Sequence, residues 1–425
     1  MPQNTISIKF PRILLDVGSS TVKCYKYNGS ELELFFTRSI LFKKNFNSEK
    51  GISIQNKNEL LELIRSIKEE NKNLPIKIYA TAFWRGLPFK MRQRFIDEFF
   101  EKTGLYFNII DQDLENFYLE MALVHKCYLV EPILLMNIGG GSTELVVLYK
   151  KEAIEKVNVD FGVKHLIDRF PEINKSVAGI KIERVISEIK SRLPILKNRS
   201  KIAFYTGGEL TYMKLGMYPL VENKIFKDPD HPYLIYTHEF IKKNKEVFER
   251  ISLEELERMM PHNPKWMRGA RACSAIAQAI CEHYGISKII PSDSNIVNGI
   301  VRREFRYITI SGGFRKHLNH ILDIKRLLEK KNIIILSPRF TKPKNPDDTF
   351  VLFEGEENST PLQLERYHLS SIEKSDALIV CDINGYVGAS AMLEIGYAYS
   401  LGKRIIFIEK PSEFILNKLP AEVGL

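Results

Sequence analysis

Apolar residues along the chain gather into short unbroken runs that end in small polar residues. Ile13-Leu14-Leu15 closes on Asp16-Val17-Gly18-Ser19-Ser20-Thr21 and resumes as Val22-Lys23-Cys24-Tyr25, which predicts strand, tight turn, strand. The design returns at Leu134-Leu135-Met136-Asn137-Ile138, followed by Gly139-Gly140-Gly141-Ser142-Thr143-Glu144 and Leu145-Val146-Val147. Two copies predict a duplicated, two-lobed body with one glycine-rich hairpin per lobe. Between them, Leu60, Leu63, Ile64 and Ile67 keep the i, i+3, i+4, i+7 spacing of a packed helix over 58–72.

Beyond residue 150 the pattern is mainly helical as far as 305. A short apolar run at 202–205 precedes Thr206-Gly207-Gly208-Glu209, and 221–232 reads as a surface loop rich in Asp, Pro and His. From 306 the period changes. Strands are expected at 307–310, 333–336, 377–381 and 404–408, with helices at 317–330 and 389–401. Strands alternating with helices of this length predict a small, Rossmann-like parallel α/β sheet. The expected division is 1–305, with lobes of about 1–128 and 129–305, and 306–425, joined by a short linker.

The length of 425 residues agrees with more than one core. Composition, 44% hydrophobic and 27% charged, excludes disordered and collagen-like classes. The net charge of +10 divides unevenly: residues 306–425 carry +1 and the remainder +9, which favours a polyanionic ligand for the first part. Cys24, Cys127, Cys273, Cys281 and Cys381 form no C-x-x-C pair and read as reduced thiols, and none of the nine His pairs as a metal ligand. Neither a signal-type apolar core nor a run of about 20 apolar residues is present, so a cytoplasmic location without membrane attachment is expected. Basic residues are not clustered and no base-reading motif appears, which argues against nucleic acid. Trp84 and Trp266 read as packing residues.

A glycine-rich turn with Ser or Thr presents N–H groups and hydroxyls to phosphate oxygens, and an Asp at its start can hold a metal ion or a water. Strand residues rather than a helix follow Gly139-Gly140-Gly141, so this is not a dinucleotide fingerprint. Asp16-Val17-Gly18-Ser19-Ser20, Ala80-Thr81-Ala82-Phe83-Trp84-Arg85, Ile138-Gly139-Gly140-Gly141-Ser142-Thr143-Glu144 and Thr206-Gly207-Gly208 together resemble the Ppx/GppA exopolyphosphatase and guanosine-pentaphosphate phosphatase family over roughly 10–303. The resemblance implies an actin-like (ASKHA), two-lobed fold with its site in the interlobe cleft. Gly18, Ser19, Ser20, Arg85, Gly139, Gly140, Gly141, Ser142, Thr143, Gly207 and Gly208 would bind phosphate. Glu115 would be the catalytic base, and Asp16 and Glu144 would face Mg²⁺. Asn137 stands where the family has an aspartate, Ser20 replaces an asparagine and Glu209 a threonine. Active phosphatase and nucleotide- or polyphosphate-binding sensor both remain open.

In the last part, a strand leads to Asn384-Gly385-Tyr386-Val387-Gly388-Ala389-Ser390, with Glu394 about one turn into the next helix. That sets a carboxylate at the carboxyl edge of a parallel sheet, where open α/β folds bind ligands. Ser311, Gly312 and Gly313 open another helix and suit a 5′-phosphate. Phe314 and Tyr386 either stack on a base or belong to the core, and Asp376 caps a strand. The pattern resembles nucleoside 2-deoxyribosyltransferases and related nucleotide N-hydrolases over roughly 306–410. The resemblance implies that Glu394 is a nucleophile on the anomeric carbon and that Asn384, Gly385, Gly388 and Ser390 line the nucleotide site, with no cofactor. His368 stands about where the salvage transferases have an aspartate, and Gly388 replaces a sugar-contacting side chain; both changes point to hydrolysis or an unusual nucleotide. The combined expectation is a two-part hydrolase on nucleotides or phosphoanhydrides, as a homodimer. The alternatives are a sensor regulating the C-terminal enzyme, in stress or defence, and a non-enzymatic nucleotide-binding scaffold.

Overall fold

The computed structural model describes residues 11–425 except 44–45, 50, 125–130, 151, 226–227, 229, 262–263, 346–347 and 349–350. Cys127 and the expected lobe boundary at 128 lie outside the described residues. Contacts divide the chain into two units, residues 1–114 with 303–425, and residues 115–302.

The first unit holds two sheets. In one, β1 (Arg12–Val17), β2 (Thr21–Tyr27), β3 (Leu32–Ser39), β4 (Ile76–Ala80) and β5 (Phe107–Ile109) lie in the order β3-β2-β1-β4-β5. β1 and β2 pair antiparallel with Asp16 opposite Lys23, and β4 runs parallel to β1. The helix Ile54–Glu70 starts on Ser53, whose hydroxyl accepts from Asn56 N–H, and buries Leu60, Leu61, Ile64 and Ile67. Trp84 is fully buried against Phe42, Phe83, Phe95 and Phe107, which is the packing role expected of it.

The second unit carries β6 (Ile133–Ile138), β7 (Thr143–Tyr149), β8 (Glu152–Val159), β9 (Ile202–Thr206), β10 (Val221–Glu222), β11 (Tyr233–Tyr236) and β12 (Lys288–Ser292). Their order is β10-β11-β12-β9-β6-β7-β8. Read from β8 to β12, this repeats the first sheet: an antiparallel meander, then two parallel strands. The duplication expected from the hairpins therefore extends to whole sheets. Residues 150–305 hold more strand than their mainly helical reading anticipates. β8 alternates exposed and half-buried positions, and β10 and β11 are short.

Five parallel strands make the third sheet, in the first unit: β13 (Tyr307–Gly312), β14 (Ile334–Ser337), β15 (Ala377–Cys381), β16 (Arg404–Phe407) and β17 (Glu422–Val423). The order is β14-β13-β15-β16-β17. Ile308, Ile310, Ile379 and Ile406 face one apolar cluster, Leu378, Val380, Ile405 and Phe407 the other, so both faces are buried, as parallel sheets require. Asp376 accepts from the N–H groups of Arg306 and Tyr307 at 2.5 and 2.7 Å and so fixes the start of β13. The helix Pro361–Lys374, begun by a Thr360–Gln363 capping box, was not anticipated. No described helix is long and apolar enough to cross a membrane.

Candidate functional sites

Each hairpin closes its glycine turn with the same bond: Gly18 N–H donates to Thr21 C=O at 2.9 Å, and Gly139 N–H to Ser142 C=O at 2.8 Å. Gly18, Ser19, Gly139, Gly141 and Ser142 are half-buried, while Ser20 and Gly140 are exposed. Burial pushes the Asp16 carboxyl above its usual range and Lys23 opposes it. Thr143 is buried and donates to Phe161 C=O at 2.7 Å, bracing the turn from below. A residue without a local motif braces it further. A Cβ on Gly162 would stand 2.4 Å from Gly139 O and 2.8 Å from Ser142 N, and the following N–H groups of Val163 and Lys164 donate to Gly139 and Gly140 C=O at 3.0 and 2.8 Å.

Arg85 ends the short helix Ala82–Arg85 after β4. Its guanidinium donates to Ile110 C=O at 3.1 Å and to the Gln112 side chain. Gly207 and Gly208 have φ of 120° and 110°, a region costly for any side chain, and Gly208 lies against Trp266. Glu209 is buried, with the Cys273 thiol 3.6 Å away.

Glu115 is buried on the helix Gln112–Val124. That helix lies against the helix Ile296–Arg302 so closely that a Cβ on Gly299 would stand 1.8 Å from Tyr118 O. Arg302 donates to Met121 C=O at 2.8 Å and also to Ala122 C=O, which caps the helix carbonyls. Gly162, Gly299 and Arg302 thus position the expected site residues, and only their long-range contacts reveal it.

At the carboxyl edge of the third sheet gather polar side chains with atoms that lack a hydrogen-bond partner. Among the described residues, buried atoms lacking a hydrogen-bond partner include Ser311 Oγ, His317 Nε2, Glu365 Oε1, His368 Nε2, Asp382 Oδ2 and Glu394 Oε2. Glu394 and His368 are buried, with Oε2 and Nε2 3.2 Å apart. Burial pushes the Asp382 carboxyl up to about 6 and raises Glu365, with Glu394 adding to the effect. A Cβ on Gly312 would stand 2.9 Å from Cys381 O, so the end of β13 needs glycine to approach β15, and Gly313 precedes the helix Phe314–Glu329. Asn384 and Gly385 form a turn with φ of 56° and 71°, tied to Glu409 and Ser412. Gly388 caps the helix Ala389–Ser400, near whose start Ser390 is exposed. Phe314 packs on Phe353, a core role, whereas Tyr386 is exposed beneath Lys316 Nζ at 3.7 Å from its ring.

Residues 41–304, more than half of the chain, match the model of the Ppx/GppA phosphatase family. The chain belongs to this family. The Ppx/GppA enzyme of Aquifex aeolicus is similar in fold, with 18% identity and a TM-score of 0.54 over 69% of this chain and 98% of that one. An exopolyphosphatase from Cytophaga hutchinsonii has 14% identity and a TM-score of 0.54 over 69% of this chain and 96% of that one. No curated protein matches the chain. The Ppx/GppA match ends at 304, so the N-glycosidase reading of 306–410 is carried by the residues of that segment alone.

Ppx/GppA phosphatases are generally dependent on a divalent metal. The residues present here do not fit a metal at Glu144. Asn137 Nδ2 donates to one of its oxygens at 2.8 Å and Ser142 Oγ to the other at 2.6 Å, and among the described residues no group of three His, Cys, Asp or Glu could hold an ion. The Asn137 amide and the Ser142 hydroxyl thus satisfy both oxygens of the carboxylate that was expected to face Mg²⁺.

Proposed function

We propose a two-part hydrolase of nucleotides or phosphoanhydrides. The Ppx/GppA portion binds a polyphosphate or guanosine polyphosphate through the N–H groups of its glycine turns and the guanidinium of Arg85, with Glu115 as the base that activates water. The C-terminal sheet cleaves an N-glycosidic bond: the Glu394 carboxylate bonds to the anomeric carbon, the base departs, and water hydrolyses the resulting ester. The observation that carries the second half is the cluster of buried polar atoms at one sheet edge, among them Ser311 Oγ and Asp382 Oδ2, which lack a hydrogen-bond partner, and the Glu394–His368 pair at 3.2 Å. Such atoms are costly without a ligand to meet them, and the crevice at a sheet's carboxyl edge is where ligands of such folds bind.

The bonded pair Asn137–Glu144 favours a second reading for the first half, a sensor that binds its polyphosphate without turning it over and regulates the C-terminal enzyme. One experiment separates these readings. The full chain is incubated with a nucleotide and polyphosphate panel, and phosphate and free base are followed by mass spectrometry. A phosphatase releases phosphate that disappears in Glu115→Ala. The N-glycosidase releases base that disappears in Glu394→Ala. A sensor releases no phosphate, yet its melting temperature rises with the polyphosphate.

A further inference from the structure

A cavity of about 550 Å³ opens within the first unit, where its first and third sheets adjoin. One side comes from residues 75–77 and 100–106, the other from 407–423. Its walls are apolar: Phe100 and Leu105 face Phe407, Leu416 and Leu419. That volume is within the range of small-molecule sites, which favour domain seams and apolar walls with a few convergent polar groups. The polar groups here are donors with positive charge to spare. Arg12 and Lys77 line the cavity, and together with Arg404 they meet two carboxylates, Glu304 and Glu422. Three cations against two anions leave one positive charge over. Arg12 and Arg404 are buried, where uncompensated charge is costly. Arg12 Nε–H is also buried without a hydrogen-bond partner. Tyr106, 8% exposed, lines the same space, and its hydroxyl has no hydrogen-bond partner among the described residues. Burial pushes that hydroxyl above its usual pKa, so it stays a donor. Lys410 lines the cavity from an exposed position and likewise has no partner among the described residues.

We infer that this cavity binds a small amphipathic monoanion, a carboxylate on an apolar body. The carboxylate accepts from the Arg12 and Tyr106 donors and supplies the negative charge that the buried cations lack. The body lies along Phe100, Leu105, Phe407 and Leu416, which offer it apolar contact and no hydrogen bonds. One negative charge matches the single excess; a phosphate monoester, at about −1.5 to −2 near pH 7, would overshoot it. The site uses no residue of either proposed active site.

The test titrates the full chain with hexanoate, octanoate and decanoate below their micelle-forming concentrations, and with 1-octanol and octyl phosphate, by calorimetry and thermal melting. Affinity is expected to rise about tenfold from hexanoate to octanoate, the scale of two buried methylenes, and octanoate should raise the melting temperature. The uncharged 1-octanol should bind at least about tenfold more weakly than octanoate. Ala421→Phe, which fills the cavity from its wall, should abolish binding. Tyr106→Phe should lower octanoate affinity about three- to tenfold, and Lys410→Ala should weaken octanoate but not 1-octanol. No binding by the native chain, equal affinity for octanoate and 1-octanol, tighter binding of octyl phosphate than of octanoate, or unchanged binding in Ala421→Phe overturns the assignment. If Ala421→Phe does not fold, unchanged octanoate affinity in both Tyr106→Phe and Lys410→Ala overturns it instead.

Discussion

Asn137 holds Glu144 across the β6–β7 hairpin, amide to carboxylate at 2.8 Å. The equivalent pair of the first hairpin is Asp16 and Lys23, so in each copy a carboxylate is met by a donor on the facing strand. Asn137→Asp would set two carboxylates face to face, and like charges opposite one another on a sheet are destabilising. In metal-free buffer at pH 7 the variant is expected to lose about 1–3 kcal/mol, and Mg²⁺ should restore its melting temperature while leaving the native chain unmoved. An equal Mg²⁺ response in the native chain would show that Glu144 is available to metal after all.

Gly299 is the tightest approach to the helix that bears Glu115. Adding a methyl there forces the backbone of Tyr118 to move, because the new atom would lie 1.8 Å from its oxygen. Gly299→Ala should cost at least roughly 1–3 kcal/mol, the scale of core overpacking, and should weaken whatever activity depends on Glu115. Gly162→Ala should act instead on the glycine turn, reducing the affinity for polyphosphate. Denaturant melts and polyphosphate titrations of the two variants check the distinction.

Glu304 is the carboxylate on which the two sheets of the first unit converge. It accepts from Arg12 of β1 at 2.7 Å, Lys77 and Tyr79 of β4 at 3.0 and 2.9 Å, and Arg404 of β16 at 2.7 Å. Glu422 of β17 pairs with Arg404 and Lys77. Glu304→Gln leaves three cations, buried Arg12 and Arg404 and half-buried Lys77, with the Glu422 carboxylate among them. The expected cost is about 3–5 kcal/mol, as for other broken buried pairs, read from urea unfolding of the full chain.

The same knot sets the acid limb of stability. Lys77, Arg12 and Arg404 overcome the burial penalty and hold the Glu304 carboxyl well below its usual range. A depressed pKa contributes stability that is present above the unfolded value, about 4.3, and is lost as pH falls through the folded one. His368 has the opposite sign: burial disfavours its imidazolium, but the Glu394 and Glu365 carboxylates outweigh it and raise its pKa, so its contribution is complete below about 6.5 and is lost as pH rises through the folded value. Unfolding free energies across a pH series should therefore fall less steeply below pH 4 in Glu304→Gln, and less steeply above pH 7 in His368→Gln, than in the native chain.

What the sequence made readable was local. Both hairpins announce themselves by apolar runs that break at Gly18 and Gly139, and β13, β15 and β16 by buried runs between polar turns. Strand β8 hides because its exposed face carries Glu152 and Lys156, and β17 because two residues have no pattern and exist by pairing with β16. The site divides in the same way. Asp16, Arg85 and Glu394 sit in motifs, and the departure at His368 is visible in the sequence. That His368 reaches Glu394, that Gly299 meets Tyr118 and that four donors converge on Glu304 depend on contacts between distant segments, which leave no local trace.

The charge knot at Glu304 also limits how such a chain can be inherited. The family-matched segment ends on this residue, so the natural place to splice the two parts is the place where they are least separable. A gene fragment stopping at 304 would keep Arg12 and Lys77 but not Arg404; one beginning at 306 would keep Arg404 and Glu422 but not the acid between them. Exchange of either part for a relative's is expected to keep the knot only where positions 12, 77, 304, 404 and 422 travel as a set. The two segments are written one after the other, but the seam they share at Glu304 ties them into a single folded unit.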